Sequence, residues 1–221
     1  NPFDEILRPR EQKQRIVEYL SPIREKILCA VSGNHEARTM KDSDQDITYD
    51  IMSKLDLEDV YRENAAFLKL SLGKRGNGHP VCSYTMCVTH GTGGGIYTGA
   101  TVNRNERFGN IIDGLDCLIV GHTHKGTVTK PSKLYIDTHN NCVSIKPYLV
   151  VSSVSWLNYG GYAMKKMLLP ADTSWASSPL LLPNPTSSVS SAAAKFPKSI
   201  RAMPVTRPVP SSSIPIMASM N

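Results

Sequence analysis

Three short apolar runs, each ending in a glycine-flanked loop that carries histidine or asparagine, constrain this chain more than any other feature. Ile27-Leu28-Cys29-Ala30-Val31 runs into Gly33-Asn34-His35-Glu36, Met86-Cys87-Val88-Thr89 into His90-Gly91, and Leu118-Ile119-Val120 into Gly121-His122-Thr123-His124. Apolar, β-branched stretches of this length between turn residues are the pattern of buried strands. Strands that release polar side chains at their carboxyl ends predict an α/β fold, because sites in open α/β sheets assemble at that edge. Neutral imidazole and an amide oxygen suit Zn, Mn or Fe, and three or four such groups hold one ion. Taken singly, each piece has an ordinary reading. His90-Gly91 is a turn, and Gly33-Asn34 is a turn with a helix start. His122 and His124 alternate at period two, so on a continuing strand they share one face, as two ligands or as a polar strand face. Taken together, in this order, they predict a metal site.

The rest of the chain supplies a scaffold of the same class. Ile16, Val17 and Leu20 place an apolar stripe on a helix over 11–20, and Ile47, Ile51 and Leu55 do so over 46–55. Strands are expected over 67–72 and 81–88, joined by the turn Gly73-Lys74-Arg75-Gly76-Asn77-Gly78. Gly91 to Gly95 contains four glycines, a loop that either brings backbone N–H groups to an anion or makes room for metal and substrate. Arg104 and Arg107 fall on a short helix, and 116–120 is a buried strand. Strands follow over 127–129, 133–137, 142–153 and 162–169, with Asn140-Asn141 as a hairpin turn.

Composition divides the chain in two. Residues 1–172 read as one domain. Residues 173–221 hold eight prolines among Ser and Ala, which breaks every periodic element and predicts a disordered tail. Of the net charge of +6, the tail carries four positive charges and no acid, leaving +2 on residues 1–172. The basic balance is thus a tail property and does not argue a nucleic-acid groove on the domain. No apolar run approaches the roughly 20 residues needed to span a bilayer. Five scattered cysteines without Cys-x-x-Cys spacing point to reduced core thiols and a cytosolic setting.

The three motifs, in this order, resemble those of the calcineurin-like metallophosphoesterases, over about residues 24–170. The wording around His90-Gly91 and Gly121-His122-Thr123-His124-Lys125 is similar to the bacteriophage and prophage branch, which implies a bacterial or phage-infected cytoplasm. The resemblance implies a four-layer α/β/β/α sandwich of two mixed sheets and hydrolysis of a phosphomonoester or phosphodiester. It implies two divalent ions (Mn, Fe or Zn) that clamp a phosphate and lower the pKa of a bridging water. Asn34, His90 and His122 then match ligands of one ion and His124 a ligand of the other. His35 matches the histidine that contacts phosphate and protonates the leaving group. Strands over 148–151 and 163–169 would close the second sheet. The family's Asp-x-His and Gly-Asp-x-x-Asp motifs are both read as missing from this chain, which opens Asn1-Pro2-Phe3, so an N-terminally truncated sequence is expected, one that lacks the bridging carboxylate and need not be active alone. The alternative is a catalytically silent binding module on the same fold. Arg38, three residues past His35, either reaches back to a metal-bound phosphate or pairs on the surface with Glu36 or Asp42. Nucleic acid is one possible ester substrate, and the oligomeric state is open.

Overall fold

The computed structural model describes residues 6–73, 76–77, 82–154, 160–165, 167, 170 and 200–202. It is a mixed α/β structure with helices and mixed sheets. Among the described residues no helix is long and apolar enough to cross a membrane.

The first segment folds as its periodicity predicts. Helix α1 spans Pro9–Leu20, opened by Pro at a helix start and by the Glu11 carboxylate, which accepts from Arg8 N at 2.8 Å. A 3₁₀ segment, Ser21–Lys26, carries Pro22. Strand β1 is short, Ala30–Val31, and pairs in parallel with β2, Tyr61–Arg62. Between them lie α2, Asn34–Ser43, and α3, Ile47–Lys54. Asp46 caps α3 by accepting from Tyr49 N at 2.9 Å. Its other contacts, to Tyr61 Oη and Ser32 Oγ, tie that cap to the β1–β2 pair.

The main sheet has six strands. β3 is Ala65–Leu72, β4 Cys82–Thr89, β5 Cys117–Val120, β6 Thr127–Thr129, β9 Leu149–Ser152 and β10 Ile200–Ala202. Their order is β10-β3-β4-β5-β9-β6. β4, β5 and β9 are parallel, and the outer strands run antiparallel to their neighbours. Parallel neighbours need a crossover, and between β4 and β5 it is α4, Thr98–Asn110. A separate ribbon joins β7, Ser132–Asp137, to β8, Cys142–Pro147.

Alternation sorts the sheet's side chains into two cores. Cys87, Leu118, Val120 and Val150 pack with Tyr148 and with Phe108, Ile112 and Leu115 of the α4 side. Leu68, Met86, Cys117 and Leu149 pack with Leu28 and Cys29, which lead into β1. α4 thus covers one face, and the β1 segment covers the other. Behind β1 and β2 lies α3, in contact with α1 and α2.

Several expectations are corrected here. The strand expected over 148–151 is β9, which lies in the six-stranded sheet that also holds β4 and β5, register-paired with β5 from Cys117–Leu149 to Val120–Ser152. Such a pairing joins residues some thirty positions apart, and local pattern cannot choose it. Within the expected strand 162–169, the described part Tyr162–Lys165 is a helical turn, α5. The tail is not wholly without structure, because Ile200–Ala202 pairs with Leu68–Leu70 along the otherwise open edge of β3. Residues 171–199 and 203–221 lie outside the described residues, as do parts of the turn 73–78. An Asp-x-His triplet does occur, at Asp137-Thr138-His139, but it makes the ribbon turn. The Asp137 carboxylate accepts from His139 N and Asn140 N at 3.0 Å each.

Candidate metal centre

Each of the three motifs leaves the end of a strand and arrives at one place. Gly33 follows β1 and precedes the first residue of α2, so Asn34 sits at a helix start with its side chain turned to the sheet edge. His90 is the residue after β4, and Gly121 follows β5. The parallel register of β4 and β5 ends with Thr89 beside Val120, which puts His90 and Gly121 level. Gly121 N then donates to Thr89 O at 3.2 Å.

Asn34, His90 and His122 converge. His90 Nε2 is 2.9 Å from Asn34 Oδ1 and 3.1 Å from His122 Nδ1, and His122 Nδ1 is 3.3 Å from Asn34 Oδ1. The two rings meet edge-on, 5.0 Å apart and inclined at 73°. These three contacts cannot all be hydrogen bonds. A neutral imidazole carries one N–H, and the amide oxygen carries none. A proton on His90 leaves His122 Nδ1 facing Asn34 Oδ1, acceptor to acceptor. A proton on His122 leaves His90 Nε2 facing that oxygen. Protons on both rings set two N–H groups against each other. A cation between the three atoms removes the repulsion.

The triangle also has the right size. Its circumscribed radius is about 1.8 Å, so a point about 1.1 Å off its plane lies about 2.1 Å from all three atoms, the bonding distance of Zn to imidazole or oxygen. Among the described residues no group of three His, Cys, Asp or Glu side chains converges on a metal position. The trio closes only through the amide of Asn34.

Desolvation favours the neutral form at two of the histidines. Burial lowers the pKa of His90, with His122 adding to the shift and Glu36 opposing it. His124, exposed at the surface, is lowered by partial desolvation first, then by His122 and His35. Both shifts favour the neutral, ligating form. The charges of neighbouring histidines thus add to the lowering at His90 and His124, although only His90 and His122 touch.

The loop that presents His122 and His124 differs from the expected continuing strand. β5 stops at Val120, and both histidines take left-handed backbone, with φ 69° and 55°. A non-glycine residue there is strained, and such strain gathers at functional sites. Two in three residues make a turn, so strand alternation does not relate their side chains. His35 and His124 are exposed, beside the trio but not in it. Arg38 is exposed on α2 and makes no hydrogen bond or ion pair among the described residues, neither to Glu36 nor to Asp42.

Glycines let the parts close up. A methyl at Gly33 would stand 3.1 Å from His90 Cε1 and 2.5 Å from Glu36 Oε2. Gly91, at φ 78°, lies against Val120, where a Cβ would come within 2.4 Å of Cγ1. The following glycine loop is tied from the other motif, since Lys125 Nζ donates to Gly95 O.

A cavity of about 730 Å³ opens from this edge between α2 and α4. Gly33, Asn34, His90 and Thr92 line its inner end, and Arg104 and Asn105 line the α4 wall. Arg38 does not line it. Arg104 Nη1 donates to Thr92 O at 3.1 Å, and its guanidinium occupies the space a side chain at Gly93 would need. Asn105 is 4% exposed, and its Nδ2 makes no hydrogen bond among the described residues. Sequence reasoning placed Arg104 only on a helix and passed over Asn105. The available signal was the spacing Thr101, Asn105, Gly109, which puts polar or small residues on the face of α4 that meets the sheet, and all three are buried.

No family model, no curated protein and no solved structure matches this chain.

Proposed function

We propose that this chain is a metal-dependent phosphoester hydrolase domain of the calcineurin-like kind, acting on a phosphomonoester or phosphodiester. The observation that carries the reading is the triangle of Asn34 Oδ1, His90 Nε2 and His122 Nδ1, which fits one divalent ion of Mn, Fe or Zn type. The order of packed layers supports the four-layer α/β/β/α architecture: α4, the six-stranded sheet, the β1–β2 pair, then α3 with α1 and α2.

Asn34, His90 and His122 would hold one ion, and His124 contributes to a second. Bound ions polarise the phosphate and supply a hydroxide at neutral pH. The chain's own residues do the rest. His35, exposed on the first turn of α2 beside Asn34, donates the proton that the leaving oxygen needs. The left-handed turn over 122–124 fixes His122 against His90, so the ligand positions form before the ion arrives.

The test is a calorimetric titration of the chain with Mn²⁺ and Zn²⁺, alongside turnover of bis-p-nitrophenyl phosphate and of an alkyl phosphate ester. Wild type binds metal, and a His90→Ala, His122→Ala double variant loses it. His35→Ala keeps metal and lowers turnover about 10²-fold, the usual worth of a general acid. Equal metal affinity in wild type and the double variant sinks the proposal. A second reading, a silent binding module on the same fold, draws on the absence of a converging carboxylate among the described residues. Metal binding without turnover of either ester, in the chain as it stands and in a version extended to restore the two missing motifs, would favour it.

A further inference from the structure

Resting on the phosphoesterase reading, we propose that the 730 Å³ cavity between α2 and α4 binds the neutral organic group of a small phosphate ester, with Arg104 as the anion contact and Asn105 as the hydrogen-bonding residue that reads that group. A cavity of this size is in the range that encloses a small molecule. It is continuous with the candidate metal centre, because Asn34 and His90 line both. A phosphate at the centre therefore directs its substituent into the cavity.

The walls specify the chemistry. Ala37 and Met40 of α2, with Phe108 and Ile111 at the end of α4, line the cavity with an apolar surface suited to a flat or aliphatic group. Arg104 is half-buried at the metal end. Of its five guanidinium N–H donors, one is used on Thr92 O, and no other partner is found among the described residues. A fork held by one bond beside a metal-bound phosphate can take two of its oxygens. Asn105 lies one residue further along α4, 96% buried, with an amide nitrogen that has no hydrogen-bond partner among the described residues. Buried polar groups are otherwise paired, so this amide is in excess, and a turn of the side chain toward the cavity that Asn105 lines lets a ligand complete the pairing. Glu36, Asp46 and Glu63 also line the cavity. Set against Arg104 and Arg107 they leave the lining with a small negative balance, which disfavours a second anionic group and suits a neutral organic moiety.

The experiment measures binding, not turnover. Methylphosphonate, phenylphosphonate and 3-carbamoylphenylphosphonate, which cannot be hydrolysed at the P–C bond, are titrated calorimetrically into the full chain with saturating Mn²⁺. Phenylphosphonate should bind at least tenfold tighter than methylphosphonate, about the gain from burying a ring. Ala37→Phe, on the exposed surface of α2, should fill the cavity there and erase that gain while Mn²⁺ affinity stays at the wild-type value. Arg104→Gln should weaken all three phosphonates about tenfold, again without changing Mn²⁺ affinity. The carbamoyl group should add several-fold in wild type and nothing in Asn105→Leu, which keeps the side chain's branched shape without its hydrogen-bonding groups. Equal affinity for methyl- and phenylphosphonate overturns the proposal. A phenyl gain that survives Ala37→Phe places the ring elsewhere and also overturns it, and a carbamoyl gain that survives Asn105→Leu removes Asn105. If the chain binds no Mn²⁺, the metalloenzyme reading fails on its own, and the same comparisons in metal-free protein decide the cavity.

Discussion

Replacing Gly33 with Ala tests the candidate metal centre without removing a ligand. Gly33 has φ −99° and ψ 173°, an extended conformation open to alanine, so backbone strain plays no part. The added methyl would meet Glu36 Oε2 at 2.5 Å, His90 Cε1 at 3.1 Å and His90 Nδ1 at 3.2 Å. The Glu36 carboxylate is the far end of a flexible chain and swings aside. The His90 ring has no such freedom, because its Nε2 is held between Asn34 and His122. To reach an ordinary carbon contact it must retreat by roughly 0.3 to 0.5 Å, more than the ±0.2 Å that metal–ligand distances tolerate. Displacing a ligand this way is comparable to losing an outer-shell partner, which costs about 10- to 100-fold in metal affinity. Loss of a glycine helix cap adds only about 1 kcal/mol or less to the folding side. The expected result is Mn²⁺ affinity at least tenfold weaker by calorimetry with a urea midpoint close to wild type. An unchanged Mn²⁺ affinity would show that His90 is not confined as described and would refute the reasoning.

Two further outcomes concern the frame. Gly109→Ala sets about 1 kcal/mol of helix propensity against overpacking of about 1–3 kcal/mol, since its methyl would come within 2.6 Å of a Tyr148 ring held by Glu106 O and Asn110 Oδ1; a net loss of about 1 kcal/mol in urea unfolding is expected, and a stabilised variant would contradict the packing. Tyr61 has its pKa pushed up to about 12, by burial first and then by its bond to the Asp46 carboxylate. A phenol raised above its unfolded value of about 10 contributes stability that is complete below pH 10 and is lost as pH rises toward 12. Urea midpoints measured between pH 9 and 12 should fall more steeply in wild type than in Tyr61→Phe, and equal slopes would remove Tyr61 from the alkaline transition.

The parts of this fold that were legible in the sequence are those fixed by local period. The apolar runs before Gly33, His90 and Gly121 became β1, β4 and β5, and the stripe Ile47, Ile51, Leu55 became α3 with Asp46 as its cap. What was not legible depends on partners distant in sequence. Leu149–Ser152 reads equally well as a strand of either sheet, and only its pairing with β5 places it. The turn at His122 and His124 was invisible for a different reason. Histidine carries no left-handed signal as strong as glycine's, so two left-handed residues flanking Thr123 read as strand.

Asn105 shows why a site wall is harder to read than a ligand set. Ligands announce themselves by type, since few roles other than metal binding call for Asn and His together at strand ends. A wall residue is ordinary in type and distinctive only in place. On α4 the face toward the sheet carries Thr101, Asn105 and Gly109, where a helix built only for stability would carry aliphatic side chains. Gly109 has a packing reason, the close approach of Tyr148. Asn105 has none among the described residues, since its amide nitrogen is left without a partner. A helix that gives up apolar contact at that position, at the wall of the cavity beside His90, trades stability for a polar group that a bound molecule or an ordered water can satisfy. The same logic separates Arg104 from Arg38. Both are arginines near a histidine motif in sequence, but Arg104 is drawn into the cavity wall by Thr92 O and the open space at Gly93, whereas Arg38 sits on the exposed face of α2.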